Sequence, residues 1–287
     1  MTATVPGPHA QTRPPKATAP DRACDCHFHV FGPESRYPYS DGRGYTPPDA
    51  SLESYRAMLD VLGVTRAVIV QPSVYGTDNA CSLDAVRRLG DAARGVAVLD
   101  ETVSDEELDR LHAAGFRGTR FNIESAGGVP DTQLERVAAR VAPRGWHIQV
   151  YVNGRRLSEL APRLADLPAE VVIDHMGGME ADAGVDQPGL AALIDLLRTG
   201  RCWAKLSGAY RIDFNGAPFA AATPIARALI EAAPDRLVWG TDWPHPQVKG
   251  PMPDDGDLFD WFLAATGDAA LQRQILVDNP ARLYDFD

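Results

Sequence analysis

Eight short apolar segments recur along this 287-residue chain, and a stretch with helical periodicity follows each of them. The segments span residues 23–30, 66–73, 94–100, 116–123, 147–152, 171–177, 202–208 and 237–244. Each is apolar almost throughout and does not alternate cleanly, which is typical of parallel strands that are buried on both faces. The alternation of eight strands with eight helices predicts an α/β fold, a single (β/α)₈ TIM barrel over residues 21–287.

An open, doubly wound sheet would also alternate strands with helices. That fold normally carries a glycine-rich dinucleotide loop after its first strand, whereas this chain has His27 and His29 in the corresponding place. No change of composition marks a second domain. The closed barrel is therefore favoured over the open sheet.

The first 20 residues, MTATVPGPHAQTRPPKATAP, are rich in proline, alanine and threonine. They lack the apolar run of a secretory signal, and no later segment is long enough to cross a membrane. We expect residues 1–20 to be a disordered tail outside the barrel.

The net charge is −11, which argues against nucleic acid and anionic membranes as main partners and leaves small molecules as the expected ones. The four cysteines, Cys24, Cys26, Cys81 and Cys202, do not form the pattern of a disulfide framework. A reducing, cytoplasmic location is the simplest prediction.

The first apolar segment contains the sequence DCHFHV, in which Asp25, His27 and His29 alternate. Simple strand alternation places all three side chains on one face, directed into the barrel. His175 lies at the end of the sixth segment and Asp242 at the end of the eighth, so the C-terminal ends of the strands are expected to bring them together. His147 begins the fifth strand on the opposite rim and is expected to be structural.

Two kinds of chemistry suit His27, His29, His175 and Asp242. Three neutral imidazoles and a carboxylate could hold a single divalent ion, for which zinc is a candidate. Without a metal, Asp242 could take a proton from water while the histidines polarise a carbonyl group.

These residues together resemble the amidohydrolase superfamily, which has His-x-His on strand one, a histidine on strand six and an aspartate on strand eight of a (β/α)₈ barrel. Six segments in order resemble its lactonase branch, the 2-pyrone-4,6-dicarboxylate lactonases and their relatives that act on sugar-acid lactones. The segments are CHFHVFGPESRYPYSDGRGYTPPDAS, IVQPSVYGTDN, GFRGTRFNI, DHMGG, KLSGAYR and WGTDWPHP. The similarity covers nearly all of the chain after residue 20.

The resemblance implies a hydrolase that opens an anionic lactone, either similar to 2-pyrone-4,6-dicarboxylate or of the sugar-acid or muconolactone type. Asp242 would be the general base, with His27, His29 and His175 set against the lactone carbonyl and no metal required. Binuclear members of the superfamily carry a carboxylated lysine on strand four and a histidine on strand five. Arg120 and Tyr151 stand there in this chain, so a second metal lacks ligands.

The same resemblance assigns substrate binding to Arg120, Arg211, Tyr151, Ser73 and Tyr45. Guanidinium groups bind carboxylates in a bidentate way. The pyrone lactonase pattern has a further arginine soon after strand four, but this chain has ESAGGV there and no basic residue between Arg120 and Arg136. This departure favours a lactone with one carboxylate or a hydroxylated sugar lactone. Gly127 and Gly128 predict a loop that approaches the ligand or moves over it.

The same residues are also compatible with two alternatives to a metal-free lactonase. One is a mononuclear metal enzyme that uses His27, His29, His175 and Asp242 as ligands, either an aromatic-acid decarboxylase or a zinc-dependent sugar lactonase. The other is a non-catalytic barrel that binds acidic metabolites.

Overall fold

The computed structural model describes residues 3–287, and within them eight parallel strands form one sheet in sequential order. The strands are β1 (Cys24–Phe28), β2 (Arg66–Val70), β3 (Ala93–Ala97), β4 (Phe116–Asn122), β5 (His147–Tyr151), β6 (Val171–Ile173), β7 (Cys202–Leu206) and β8 (Leu237–Trp239). The segment after β8 meets β1, where the Asp242 N–H donates to the His27 carbonyl (2.7 Å) and the His29 N–H donates to the Trp243 carbonyl (2.8 Å). The prediction of a single (β/α)₈ barrel is confirmed.

Helices surround the sheet and connect its strands. They are α1 (Leu52–Leu62), α2 (Ala80–Leu89), α3 (Asp105–Ala113), α4 (Leu134–Val141), α5 (Gly154–Ala165), α6 (Pro188–Arg198), α7 (Ala209–Ile212), α8 (Thr223–Ala232), α9 (Asp255–Thr266), α10 (Ala269–Arg273) and α11 (Asn279–Tyr284). The α3 helix begins where the Ser104 hydroxyl accepts a hydrogen bond from the Glu107 N–H (3.1 Å), as the capping sequence indicates. None of the helices among residues 3–287 has the length and apolar character needed to span a membrane.

The floor of the barrel is apolar and closed by the C-terminus of the chain. Cys24 and Cys26 of β1 pack there with Val68, Val70, Val96, Val172, Trp203, Val238 and Tyr284. His147 is also buried at this level, with its ring 5.4 Å from that of Tyr284 in an edge-to-face contact. This position, at the N-terminal end of β5 and away from the C-terminal ends of the strands, agrees with the structural role expected for His147.

Strand β1 does not alternate as the sequence predicts. Asp25 is directed toward helix α1, where the Tyr55 hydroxyl donates to its carboxylate (2.9 Å), while His27 lies inside the barrel within 3.2 Å of Asp174. The pairing of β1 with β2 shifts between Asp25 and Phe28, so one residue is gained and the side chains change faces. The prediction that Asp25 shares a face with His27 is wrong for this reason.

Residues 1 and 2 of the expected tail lie outside the described residues, and residues 3–20 lie along the outside of the barrel, where they make the following contacts. The Val5 N–H donates to the carbonyl of Thr46 (3.2 Å), and the Arg13 guanidinium donates to Asp257 of α9 (3.0 Å). The Arg13 backbone N–H also donates to Asp254, the residue that caps α9 (3.1 Å). Carboxylates at the start of a helix provide the acceptors that hold this segment.

The Tyr55 hydroxyl should contribute to stability because its acceptor, Asp25, is fully buried. We expect Tyr55→Phe to lower the free energy of unfolding at pH 7 by about 1–3 kcal/mol, measured by denaturant titration. Tyr284→Phe is the matched control, since the buried Tyr284 hydroxyl has no hydrogen-bond partner among residues 3–287. Equal losses for the two variants would contradict this account.

Candidate active site

Three imidazoles surround one carboxylate at the C-terminal ends of the strands. The Nε2 atoms of His27 and His29 lie 3.6 and 3.5 Å from Oδ1 of Asp242, and Nε2 of His175 lies 3.6 Å from its Oδ2. All four side chains are at most 3% exposed. The structure therefore brings together the four residues that the sequence proposes for catalysis.

The backbone holds Asp242 and His175 in an unusual conformation. Their φ angles are 65° and 51°, in the left-handed region that residues with side chains adopt infrequently. Such strain persists only where the surrounding structure compensates for it, and it is concentrated at functional sites. At Asp242 the compensation includes the backbone hydrogen bond to His27 that closes the barrel.

The two oxygens of Asp242 have different surroundings. Oδ2 accepts hydrogen bonds from the Tyr210 hydroxyl (2.6 Å) and from Nε of Arg211. Oδ1 has no hydrogen-bond partner among residues 3–287. One oxygen thus anchors the side chain, and the other is free to accept a proton.

Burial and charge together set the ionisation of the site. Burial alone would raise the pKa of Asp242, but Arg211 and the neighbouring histidines outweigh it and hold that pKa well below its usual value. Burial lowers the pKa of His27 and His29, and it lowers the pKa of His175 to about 3. Near neutral pH the site therefore contains one carboxylate among three neutral imidazoles.

The two arginines predicted to bind substrate pair with internal carboxylates. Nε of Arg120 donates to Oδ2 of Asp174 (2.9 Å), and Arg211 donates to Asp242 and to the Pro246 carbonyl (3.0 Å). Both guanidinium groups lie over the ring of Tyr151, at 5.6 and 5.8 Å from its centroid. No hydrogen bond within the described chain uses the Nη groups of Arg120, which leaves them available to a ligand.

The two predicted hydroxyl groups are also buried near these arginines. Ser73 follows β2 and is 3% exposed, and Tyr45 lies in the β1–α1 loop and is 4% exposed. Burial raises the pKa of Tyr45, while Arg120 and Arg211 act in the opposite direction. Tyr45 is therefore a neutral hydroxyl close to both guanidinium groups.

Sequence reasoning missed a buried polar layer beneath the histidines, formed by Gln149, Asp174 and Lys205. Gln149 donates to Asp174 (3.1 Å) and accepts from Lys205 (2.8 Å), and all three residues are fully buried. A signal existed, because Lys205 is a lone charge within the apolar strand CWAKL. Lysine is almost never fully buried unless it is paired.

A loop between β4 and α4 covers the site. The Ser125 hydroxyl donates to Gln247 of the β8–α9 loop (3.2 Å). Gly127 has a φ of +91°, and a Cβ there would lie 2.6 Å from the Ser73 carbonyl oxygen, so only glycine fits this close approach. The pair Gly127–Gly128 therefore approaches the site as the sequence indicates.

A cavity of about 630 Å³ adjoins this loop, which contributes Glu124 and Ser125 to its wall. Tyr151, Arg211 and Lys249 line the same space. Because His27 and Asp242 are 0% exposed, a ligand can reach them only after part of the surrounding structure moves.

The ligand atoms of three residues would suit a single divalent ion. One such atom from each of His27, His175 and Asp242 lies within 4.8 Å of the others, and Nε2 of His27 and Oδ1 of Asp242 have no other hydrogen-bond partner among residues 3–287. Arg120 and Tyr151 occupy the β4 and β5 strand ends, so ligands for a second ion are lacking there.

The pKa of about 3 for both His147 and His175 makes stability depend on pH. Below about pH 6.5 these histidines bind protons in the unfolded chain but stay neutral in the folded chain. The free energy of unfolding therefore falls by about 1.4 kcal/mol for each such histidine between pH 7.5 and 5.5. We expect His147→Leu, which leaves the site itself intact, to reduce this loss by that amount in denaturant titrations at the two pH values. His9→Leu, at an exposed position, is the control, and an unchanged pH dependence in His147→Leu would contradict the burial argument.

Several known proteins are similar to this chain over nearly its whole length. The chain is 40% identical to the 2-pyrone-4,6-dicarbaxylate hydrolase of Comamonas testosteroni (96% of this chain, 94% of that protein) and 41% identical to the 4-sulfomuconolactone hydrolase of Rhizobium radiobacter (97% and 95%). An apo crystal structure from Agrobacterium tumefaciens matches with a TM-score of 0.86 and 32% identity, covering 95% of this chain and 99% of that one. The amidohydrolase family model matches residues 24–286. The chain therefore belongs to the amidohydrolase family.

Proposed function

We propose that this protein is a hydrolase that opens an anionic lactone by attack of water on the ring carbonyl. The observation that carries the proposal is the free Oδ1 of an ionised Asp242 among three neutral imidazoles, beside two guanidinium groups. Relatives at about 40% identity over nearly the whole chain carry names that describe lactone hydrolysis. A carboxylate base, neutral hydrogen-bonding groups and cations are the components that hydrolysis of an anionic ester requires.

In the proposed reaction a water molecule donates a proton to Asp242 while its oxygen bonds to the lactone carbonyl carbon. The carbonyl oxygen takes on negative charge, which hydrogen bonds from the imidazole side stabilise. The bond between the carbonyl carbon and the ring oxygen then breaks, and the proton on Asp242 passes to that oxygen. The products are a carboxylic acid, which releases its proton to solvent and becomes a carboxylate, and a hydroxyl group, or the keto form of that hydroxyl if the ring oxygen belonged to an enol ester.

Arg211 couples substrate binding to the strength of the base. A carboxylate held at a very low pKa is a poor proton acceptor, and Arg211 contributes to the low pKa of Asp242. An acidic group of the substrate that shares the Arg211 guanidinium would weaken its pairing with Asp242 and raise that pKa. The proposed enzyme is thus a stronger base with an anionic substrate bound than without one.

The substrate we propose is a lactone with one carboxylate or with hydroxyl groups, as the missing arginine after β4 indicates. Arg120 and Arg211 would hold the carboxylate, and Tyr151, Ser73 and Tyr45 would contact the ring. Lys249 lines the same cavity, so a substrate with a second acidic group would meet this exposed cation.

A second candidate is a mononuclear metal enzyme, because His27, His175 and Asp242 converge closely enough to hold one ion. When bound, such an ion would polarise the carbonyl and acidify water. However, Lys205 contacts His27 (3.3 Å) and Arg211 donates to Asp242, so two of the three side chains already meet cations. We therefore favour hydrolysis without a required metal.

The proposal also covers the extent of the catalytic domain, the location of the protein and its partners. Residues 21–287 would form the catalytic barrel, and the described cysteines are all free and buried, as is usual in a reducing cytoplasm. The acidic net charge makes nucleic acid and anionic membranes unsuitable partners.

Asp242→Asn should remove the base while keeping the shape of the site. We expect kcat to fall by roughly 10²–10⁴, because general-base catalysis contributes about that factor. Lactone binding, measured by calorimetry, should be retained because Arg211 becomes freer to bind an anion. A panel of pyrone dicarboxylates, muconolactones and sugar-acid lactones with a pH indicator provides the assay. Asp182→Asn, an exposed position in the same cavity, is the control, and an Asp242→Asn enzyme with wild-type turnover would refute the assignment.

The two candidates differ in their response to chelation. We expect the purified protein to retain its lactonase activity after dialysis against a chelator, with metal content measured in parallel by plasma emission. Stoichiometric zinc that is lost together with activity, and restored with it, would make the mononuclear metal enzyme correct. Ligand-induced thermal shifts without turnover of any lactone in the panel would instead support a binding protein.

A further inference from the structure

Lys205 is a fully buried cation that the mechanism above does not use. It lies on β7, inside the barrel and directly beneath the histidines. Its Nζ is 2.8 Å from the Cys26 carbonyl oxygen, 2.8 Å from Oε1 of Gln149 and 3.3 Å from Nδ1 of His27. A lysine ammonium has three N–H groups and no acceptor, so these three contacts use all of its donors.

The contact with His27 determines which ring nitrogen carries the proton. Because Lys205 can only donate, Nδ1 of His27 has to accept, and a neutral imidazole that accepts at Nδ1 bears its proton at Nε2. Asp174 would favour the other tautomer, with the proton on Nδ1, because its Oδ1 can only accept and lies 3.2 Å from the same Nδ1. That oxygen nevertheless has no hydrogen bond from any residue among 3–287, so the ring is not oriented to donate to it.

His29 has the reverse arrangement. Its Nδ1 lies 2.7 Å from the Val70 carbonyl oxygen, which can only accept, so Nδ1 carries the proton and Nε2 keeps a lone pair. Two histidines two residues apart thus present the same atom, Nε2, to Oδ1 of Asp242, but with different protonation. His27 presents an N–H, and His29 presents an acceptor.

We propose that Lys205 is a positioning residue that holds His27 as the Nε2–H tautomer, so that this N–H donates to the carbonyl oxygen of the substrate. The proposal rests on the proposed lactone hydrolysis and assigns the stabilising donor to one histidine. Nε2 of His27 and Oδ1 of Asp242 are 3.6 Å apart, and neither has a hydrogen-bond partner among residues 3–287. A donor for the carbonyl oxygen therefore stands beside an acceptor for the proton of water.

No proton leaves His27 in this scheme. Its N–H donates a hydrogen bond as negative charge develops on the carbonyl oxygen, while the proton of water passes to Asp242. The same N–H leaves Nε2 without the lone pair that a metal ligand needs. Gln149 supports the arrangement because its Oε1 accepts from Lys205 and its amide group donates to Asp174 (3.1 Å).

The proton positions can be measured without a substrate, by long-range proton–nitrogen NMR of protein labelled with ¹⁵N in the histidine rings. In the wild-type protein we expect His27 to be protonated at Nε2 only and His29 at Nδ1 only. A His27→Gln spectrum assigns the His27 signals. A wild-type His27 that is protonated at Nδ1 would overturn the proposal, whether or not the protein hydrolyses lactones.

Lys205→Met removes the donor with little change of volume. We expect His27 to lose its pure Nε2–H tautomer, because its ring can then turn and donate from Nδ1 to Asp174, while the His29 tautomer stays unchanged. The kcat for lactone hydrolysis should fall by about 10²–10³, as for the loss of one oxyanion donor, with KM changed less than about threefold. Lys16→Met, at an exposed lysine outside the cavity, is the matched control and should change neither tautomer nor kcat.

Lys205→Met leaves Asp174 with fewer cationic neighbours and could fail to fold for that reason alone. The double variant Lys205→Met/Asp174→Asn removes both charges together, and we expect its His27 to populate both tautomers. Either variant with a pure Nε2–H His27 would overturn the role of Lys205. An altered His27 tautomer with unchanged kcat would overturn the assignment of His27 as the carbonyl donor.

Discussion

The active site depends on how the barrel closes. The Asp242 N–H donates to the His27 carbonyl and the His29 N–H donates to the Trp243 carbonyl, which joins the segment after β8 to β1. These bonds connect residues more than 200 positions apart and place Asp242, the proposed base, directly against the histidine pair. A barrel has no free edge, so the interaction that completes the sheet also assembles the proposed catalytic groups.

Charge balance explains how so many polar groups remain buried. Asp174 and Asp242 are each paired with an arginine, and Lys205 lies 3.5 Å from Asp174. Burial of an unpaired charge is costly, whereas a satisfied network is tolerated and rigid. Because arginine and lysine already balance the carboxylates, the imidazoles are not required as positive charges, and burial keeps them neutral. The result is a site in which hydrogen-bond direction, set by each histidine's partner, determines what each histidine can do.

The departures from regular structure are concentrated at this same place. They include the register shift in β1, the left-handed conformations of His175 and Asp242, and the unpartnered atoms of His27 and Asp242. Each of these features lowers the stability of the fold, and a barrel without a functional site would have no reason to contain them. The apolar floor also contains such features, because the pairing of β3 with β4 shifts between Gly95 and Val96, and Asp285 just after α11 has a left-handed backbone. The left-handed backbone of His175 and Asp242 nevertheless lies at the site of the proposed chemistry.

The amino-acid sequence by itself determined the barrel and the rim on which His27, His29, His175 and Asp242 lie. Alternating apolar segments specify strand and helix locally, and parallel strands have to end on one side. Only the tertiary structure decided that Asp25 faces away from His27, that Arg120 and Arg211 pair with internal carboxylates, and that Lys205 lies beneath His27. Those outcomes depend on the register of neighbouring strands and on contacts between distant residues. A one-residue shift reverses the face of a side chain without changing the local pattern, so periodicity alone does not contain this information.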